Sequence, residues 1–206
     1  MPSGLHVLGR RKPQDVGITA TPLPPALPPV PTLSPEKRNL LARWRKDPAR
    51  GEAMRSILGK VWNAPNTAIG LGYGLIGHAV GKVMGKDSHI GLRNNAVQFT
   101  NNPFGGVGAV TLGNAIVWNG DPYDPKDRDW HLEDGSPKLE NDDHTYPDHE
   151  DQHVRQGEML GPFYLPSNLF GGMVGLVRDK DWHGSSNWNE RGPAASPPRP
   201  WARRSE

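Results

Sequence analysis

The sequence predicts an α+β fold in which a helix packs on a small β-hairpin or sheet, and three stretches of the chain lead to this prediction. Residues 67–85 and 147–160 have helical character, while residues 95–118 are rich in the β-branched and aromatic residues that favour strands. The 206 residues include 25 glycines and 22 prolines, about twice the usual share. Because these residues interrupt helices, the composition excludes a protein that is helical from end to end.

The N-terminal part is predicted to differ from the rest of the chain. Residues 1–33 are expected to form an extended, basic, Pro-rich N-terminal arm, because from Pro22 to Pro35 prolines alternate with leucine, alanine, valine and threonine. Residues 34–62 are predicted to be a short helical docking segment with helices at 36–46 and 51–62, the first beginning at a serine–proline start. Residues 63–206 are then the main domain.

Glycines recur at short intervals in the stretch 67–85, at positions 70, 72, 74, 77, 81 and 85. The spacing predicts a helix or helical hairpin that packs closely against its neighbours through its small residues. A membrane-inserting segment is the alternative, but His78 and Lys82 interrupt a stretch that is already short for a bilayer. No stable membrane insertion is therefore expected.

The middle of the domain is predicted to hold two strands and a long loop. Residues 95–100 and 107–118 flank a turn-rich stretch, so a β-hairpin is expected. Residues 119–148 are predicted to be a polar loop. Residues 121–151 carry twelve of the 22 acidic residues of the chain, most of which a solvated surface would explain.

The motif that carries chemistry is H-E-x-x-H, formed by His149, Glu150 and His153. Two histidines four residues apart lie on one face of a helix, so both imidazoles can bind one Zn²⁺ ion. Glu150 can then act as the general base on a water molecule. The helix is expected over residues 147–160, with the Gly-Pro pair that follows ending it. Zn²⁺ is the predicted cofactor.

A catalytic zinc site needs a third protein ligand, with one position left for water or substrate. The extended motif with a third histidine is excluded, because Gln156 and Met159 occupy its glycine and histidine positions. Glu190 is the preferred third ligand, as it is the sole glutamate between positions 158 and 206. His183 is the runner-up ligand, and otherwise a donor that stabilises the oxyanion. The further candidates are Asp179 and Asp181 as ligands, and Tyr146 and Tyr164 as oxyanion donors.

A large part of the chain resembles a known family. The segments HEDQHVRQGEMLGPFYLPSNLFGG and DWHGSSNWNERGPAASPPRPW resemble the metallopeptidase domain fused to the C-terminus of some type VI secretion spike (valine-glycine repeat) proteins, and related polymorphic-toxin domains. NNAVQFTNNPFGG and VTLGNAIVWNG are similar to the hairpin that precedes the site in that family. The resemblance covers residues 60–203 and is most specific in Gln156, residues 160–166 and residues 187–193.

The resemblance implies a zincin-like site and a function. Carried over by position, it makes His149 and His153 zinc ligands, Glu150 the catalytic glutamate and Glu190 the third ligand. It implies a secreted metallopeptidase toxin effector that hydrolyses peptide or amide bonds after delivery to the periplasm of a target bacterium. A cognate immunity protein and a peptide or protein substrate are implied as partners.

Other features of the sequence are typical of different functions. A membrane-active or binding toxin with a structural histidine or metal site is the alternative, motivated by the glycine-rich stretch 67–85. Residues 1–60 hold eleven Lys or Arg against four Asp or Glu, yet nucleic-acid binding is not expected, because Trp44 is the sole aromatic residue there. No apolar run follows the early basic residues, so no standard secretory signal peptide is predicted. The N-terminal region is expected to dock onto a secretion-spike protein or adaptor.

Overall fold

The computed structural model describes residues 56–141 and 143–202, which form a mixed α+β structure, as predicted. The Pro-rich arm and the helix expected at 36–46 lie outside the described residues. The described part begins with helical residues 56–62, which confirms the C-terminal half of the helix predicted there.

The elements are named in chain order. The helices are α1 (Ala64–Val83), α2 (Tyr146–Leu160) and α3 (Tyr164–Arg178), with a single 3₁₀ turn at Gly161–Phe163 between the last two. The strands are β1 (His89–Arg93), β2 (Ala96–Thr100), β3 (Ala109–Leu112), β4 (Ala115–Trp118), β5 (Leu139–Asn141) and β6 (His144–Thr145).

Strands β1 to β4 form one sheet in the order β1-β2-β4-β3. The pairs β1–β2 and β3–β4 are antiparallel hairpins, and the two hairpins join through a parallel contact between β2 and β4. Strand β4 is wholly buried, whereas β3 is an edge strand. Strands β5 and β6 form a separate two-stranded sheet.

The hairpin predicted between residues 95–100 and 107–118 is wrong. The second stretch is two strands, since Gly113 turns the chain with a φ of 67° in a two-residue loop, and β3 pairs with β4 instead of β2. Asn95 is also not a strand residue. It and Asn94 have φ values of 60° and 48° and form the turn between β1 and β2. Strand β1 was not predicted.

Helix α1 is a single helix, which confirms the prediction of close packing through small residues. Its glycines at positions 70, 74, 77 and 81 are buried. A Cβ atom at Gly70 would overlap the carbonyl oxygen of Leu112, and one at Gly74 would overlap the ring of Phe99. The helix axis therefore lies close to the sheet, which is possible only where side chains are missing. In the part of the chain that the structure describes, none of the helices combines the length and apolarity needed to cross a bilayer.

Helix α2 confirms the helix predicted at 147–160, one residue longer at its start. The carboxylate of Asp148 accepts hydrogen bonds from the backbone nitrogen of Thr145 at 2.9 Å and from its hydroxyl at 2.7 Å, which fixes the first turn. Gly161, with a φ of 55°, ends the helix as expected. The loop predicted at 119–148 is mostly turns, but the short strands β5 and β6 within it were missed.

The core is divided between the two faces of the four-stranded sheet. On one face Val154 of α2 packs with Ile116, Trp118 and Trp130, and on the other Leu71 of α1 packs with a cluster around Phe99. The sheet is therefore covered by α1 on one face and by α2 on the other. This arrangement places α2, which carries the two histidines of the motif, beside β3.

Candidate metal centre

Helix α2 brings the two histidines of the motif together. One helical turn separates them, and their Nε2 atoms lie 3.1 Å apart. Both side chains are buried, and their rings meet edge to face with centroids 4.9 Å apart. The two imidazoles, His149 and His153, therefore aim at one point, as the spacing of the motif predicts.

Glu190 reaches the same point from the segment that follows α3. Its Oε2 atom lies 3.2 Å from Nε2 of His149 and 3.3 Å from Nε2 of His153. A turn positions it, since its backbone nitrogen donates to the carbonyl of Asn187 at 3.1 Å and its own carbonyl accepts from Ala194 at 2.9 Å. These three buried residues form a group that could hold a metal ion.

A glutamine fixes the orientation of His153. The amide nitrogen of Gln156 donates to the carbonyl oxygens of Asn189 at 2.7 Å and Pro200 at 2.6 Å, so its amide oxygen faces the imidazole. That oxygen accepts from Nδ1 of His153 at 2.9 Å. The proton is thereby held on Nδ1, and Nε2 is left free to bind a metal ion.

The carboxylate of Glu140 contacts Nδ1 of His149, the same ring atom that Gln156 contacts in His153. Oε2 of Glu140, on β5, lies 2.8 Å from Nδ1 of His149, in an ion-pair contact that lacks the alignment of a hydrogen bond. His144 lies 3.4 Å from the same oxygen and 2.8 Å from Asp143. Strands β5 and β6 therefore hold His149 from the side opposite the ligand cluster.

These contacts shift the pKa values of the cluster. Burial lowers the pKa of His149, but its contacts with Glu140 and Glu190 more than reverse this and raise the pKa to about 10. Burial acts in the same way on His153, and the charge of Glu190 again raises the pKa. Burial favours a raised pKa for Glu190, yet the two imidazoles hold it well below its usual range. Without a metal ion His149 therefore carries a second proton at neutral pH, which a metal ion must displace.

Glu150 lies next to this cluster and lines two cavities, but it is not one of the three residues that could hold a metal ion. Its Oε2 atom accepts a hydrogen bond of 2.5 Å from the hydroxyl of Thr111 on edge strand β3. One cavity of about 600 Å³ is lined by Glu150 together with His149, and another of about 930 Å³ by Glu150 together with His153. The carboxylate is thus placed where both cavities reach the ligand cluster.

The other predicted site residues are only partly brought to the cluster. His183 lines both cavities, but its ring is 62 % exposed, and among the described residues it is not in the group with His149 and His153. Asp179 accepts from Ser186, and Asp181 from the backbone of His183, so both stabilise the turn after α3.

The predicted tyrosines lie in the cavity walls. Tyr164 is fully buried, lines the larger cavity and donates from its hydroxyl to the carbonyl of Thr111 at 3.3 Å. Tyr146 lines the smaller cavity. Pro162 and Leu165 also line the larger cavity, whereas Phe163 is 66 % exposed to solvent and is not in its wall.

Three residues of the site were not assigned a role from the sequence. Gln156 is three residues beyond His153 and therefore on the same helix face, a signal that could have identified it. Thr111 and Glu140 come from β3 and β5, and nothing in their sequence neighbourhoods points to the histidines. Their contacts arise from tertiary packing alone.

Comparison of the chain with protein-family models, with curated proteins and with solved structures finds no match. The assignment of a function therefore rests on the chemistry of this centre, in which two histidines and one glutamate converge beside a second glutamate.

Proposed function

We propose that the protein is a zinc-dependent metallopeptidase with a zincin-like site, which acts as a toxin effector in a target bacterial cell. One observation carries the catalytic part of this proposal. His149, His153 and Glu190 converge on one point, and Glu150 stands beside them at two cavities.

The geometry of the cluster fits zinc. Ligand atoms bound tetrahedrally at roughly 2.0–2.1 Å from Zn²⁺ lie about 3.3–3.4 Å from one another. The three distances in this structure are 3.1, 3.2 and 3.3 Å. Two imidazoles with one carboxylate are also a donor set of zinc hydrolases, whereas Ca²⁺ and Mg²⁺ prefer oxygen ligands.

Glu150 is the general base in this proposal. When bound, zinc would polarise the scissile carbonyl and make a nearby water molecule more acidic. Thr111 holds Oε2 of Glu150, so Oε1 is the atom that takes the proton of that water and later gives it to the leaving amine. The hydrogen bond also keeps the carboxylate turned toward the ligand cluster.

The oxyanion donor is assigned to His183. Its ring is exposed at the wall shared by both cavities and is free to turn toward a bound carbonyl oxygen. Tyr164 donates its hydroxyl proton to the carbonyl of Thr111, so its contribution is to hold edge strand β3 beside the cavity. The third ligand is accordingly Glu190, with His183 acting on substrate.

The toxin part of the proposal is supported by the resemblance of residues 149–166 and 187–193 to effector metallopeptidase domains. On this basis the protein is delivered to the periplasm of a target bacterium, docks through its N-terminal region onto a secretion-spike protein or adaptor, and is neutralised by an immunity protein in the producing cell. Its substrate is a peptide or protein.

The test combines metal content with cleavage. The purified chain is expected to hold one zinc ion, and Glu190→Gln to lose most of it, whereas Glu150→Gln keeps the zinc but loses at least about a hundredfold in peptide hydrolysis. Glu133→Gln, at an exposed glutamate of the loop, is the matched control and should keep both properties. Cleavage is read by mass spectrometry as new termini in a periplasmic protein extract.

Two results would contradict the proposal. A chain that binds no zinc at neutral pH would exclude the metal centre. A Glu150→Gln variant that keeps full toxicity when expressed in a bacterial periplasm would exclude hydrolysis as the cause, and would favour the alternative of a membrane-active toxin with structural histidines.

A further inference from the structure

Three buried polar atoms converge on the side of His149 that faces away from Glu190. They are Oε2 of Glu140, Nε2 of His144 and Nδ1 of His149, and among the described residues none of them has a hydrogen-bond partner. The side chains of both histidines are at least nine-tenths buried. We call these three residues the second cluster. Because buried polar atoms are nearly always hydrogen-bonded in proteins, three of them at one place require a physical explanation.

The contacts of His144 leave a lone pair inside the second cluster. Its Nδ1 atom lies 2.8 Å from a carboxylate oxygen of Asp143, which when ionised can only accept, so the proton of the neutral ring is on Nδ1. Its Nε2 atom is then an acceptor, and it lies 3.4 Å from Oε2 of Glu140, which is a second acceptor. Two acceptors that face each other repel, so a cation is required between them.

The second cluster is built within residues 140–149. Glu140 is in β5 and His144 is in β6, and the two strands pair as a short antiparallel hairpin. His149 is near the start of α2, where the contacts between Asp148 and Thr145 fix the first turn of the helix. The three side chains are therefore held together before any ion binds, and little conformational freedom is lost on binding.

The donor atoms of the second cluster fit a zinc ion. One donor atom of each residue lies within 4.8 Å of the other two, so the group could hold a metal ion. Two imidazole nitrogens and one carboxylate oxygen suit Zn²⁺, and the 3.4 Å distance equals the tetrahedral spacing of roughly 3.3–3.4 Å. The shorter distance, 2.8 Å from Glu140 to Nδ1 of His149, would lengthen as an ion enters. Both of these residues also line the cavity of about 600 Å³, which gives an ion access from solvent.

We propose that Glu140, His144 and His149 form a second zinc site, and that the imidazole of His149 bridges two zinc ions. The proposal rests on the proposed function in one respect, since the first ion is the zinc bound at Nε2 of His149. When the second ion binds, Nδ1 releases its proton to water. The second ion would tie β5 and β6 to the helix that carries the catalytic motif.

The two ions differ in affinity. They share one ring and repel each other, so the second should bind at least about tenfold more weakly than the first. The purified chain therefore holds one zinc ion, and the second site is filled when zinc is supplied in excess.

The number of zinc ions bound by the full-length chain, measured by equilibrium dialysis and elemental analysis, tests the proposal. In excess zinc the wild type should hold one ion more than His144→Gln, and one more than Glu140→Gln. His89→Gln is the matched control, because His89 also contacts a carboxylate, that of Asp87 at 3.0 Å, but at an exposed position. It should bind as many ions as the wild type. Ions bound by residues 1–55 are common to all of these proteins and cancel in the comparison.

Variants of the first centre separate the two sites. Glu190→Gln should lose the first ion and keep the second, whereas His149→Ala should lose both, because its ring belongs to both sites. Thermal unfolding is a second measurement. Excess zinc should raise the unfolding midpoint of the wild type and of His89→Gln above that of the one-zinc protein, but not that of His144→Gln or Glu140→Gln. Glu140 is partly exposed, so its variant tests the site even where the histidine variant fails to fold.

Three outcomes would overturn the proposal. One is a wild type that binds a single zinc ion in excess zinc and loses it in Glu190→Gln, since the second cluster would then hold protons while the proposed function stands. Another is an additional ion that persists in both His144→Gln and Glu140→Gln, because it would then be bound elsewhere on the chain. The third is a chain that binds no zinc, which would overturn the proposed function as well.

Discussion

Replacing Gln156 with leucine is expected to weaken zinc binding and to destabilise the protein at the same time, because this buried side chain makes two kinds of contact. Its oxygen orients His153, and its nitrogen donates to the carbonyl oxygens of Asn189 and Pro200. Leucine fills a similar volume but leaves one imidazole donor and two carbonyl acceptors without partners. At about 1 kcal/mol for each group, the metal-free protein should lose roughly 3 kcal/mol of unfolding free energy.

The effect on the metal is separate and adds to this loss. Removing the partner of a metal-bound histidine typically lowers metal affinity by about 10–100-fold, which corresponds to roughly 1.4–2.7 kcal/mol. The unfolding free energy is measured by urea denaturation with a chelator and again with zinc, and zinc affinity by competition with a chelating dye. The difference between wild type and Gln156→Leu should therefore be larger with zinc than without it.

Gln156→Glu divides the two roles of the side chain. Glutamate keeps an oxygen for His153 but cannot donate to the two carbonyls when it is ionised. It should destabilise the metal-free protein while keeping zinc affinity closer to the wild-type value than the leucine variant does. If Gln156→Leu lowered stability and left zinc affinity within about twofold, the proposed orientation of His153 by Gln156 would be refuted.

Three further predictions concern protonation, packing and the general base. In the folded, metal-free protein the pKa of His149 is raised to about 10 from about 6.5, so protonated His149 stabilises the fold fully below pH 6.5 and this stabilisation is lost as the pH rises toward 10. Urea denaturation of the chelated protein should therefore show a falling free energy of unfolding over that range, and a flat profile would contradict the prediction. Gly74→Ala should lower the free energy of unfolding by about 1–3 kcal/mol, because the new methyl group would overlap the sheet. Gly72 has open space around it, so Gly72→Ala should stabilise α1 by about 0.5–1 kcal/mol. Equal effects of the two substitutions in thermal unfolding would exclude the close-packing explanation. Thr111→Val should slow peptide hydrolysis about tenfold by releasing the carboxylate of Glu150, with zinc content unchanged; a loss of zinc would instead assign Thr111 to the metal centre.

The parts of the site that the sequence predicts are those set by local geometry. His149 and His153 meet because an α-helix brings positions i and i+4 to one face, whatever surrounds it. Glu150 follows from the same motif. Glu190 is predicted because it is the sole glutamate between positions 158 and 206. Its place beside the histidines depends on the turn around Asn187, which the sequence alone does not specify.

The parts that were missed depend on contacts between distant segments. The two-residue turns at Asn94 and Gly113 determine which strands form hairpins, and the predicted hairpin contained neither turn. Glu140 contacts His149 because a strand of three residues pairs with one of two, and segments this short have no periodic pattern to read. Packing therefore determined the shell around the ligands and the position of Glu190, while the helix motif determined the two histidine ligands.

The distance along the chain between the ligands has a consequence for folding. His153 and Glu190 are 37 positions apart, with α3 between them, and the chain has no cysteine. A metal ion held by both would act as a covalent cross-link does, closing a loop whose restriction lowers the entropy of the unfolded chain by an amount worth roughly 4 kcal/mol. Chelation should then loosen α3 and the C-terminal turns together, so that the tertiary order of this region would follow the availability of the metal.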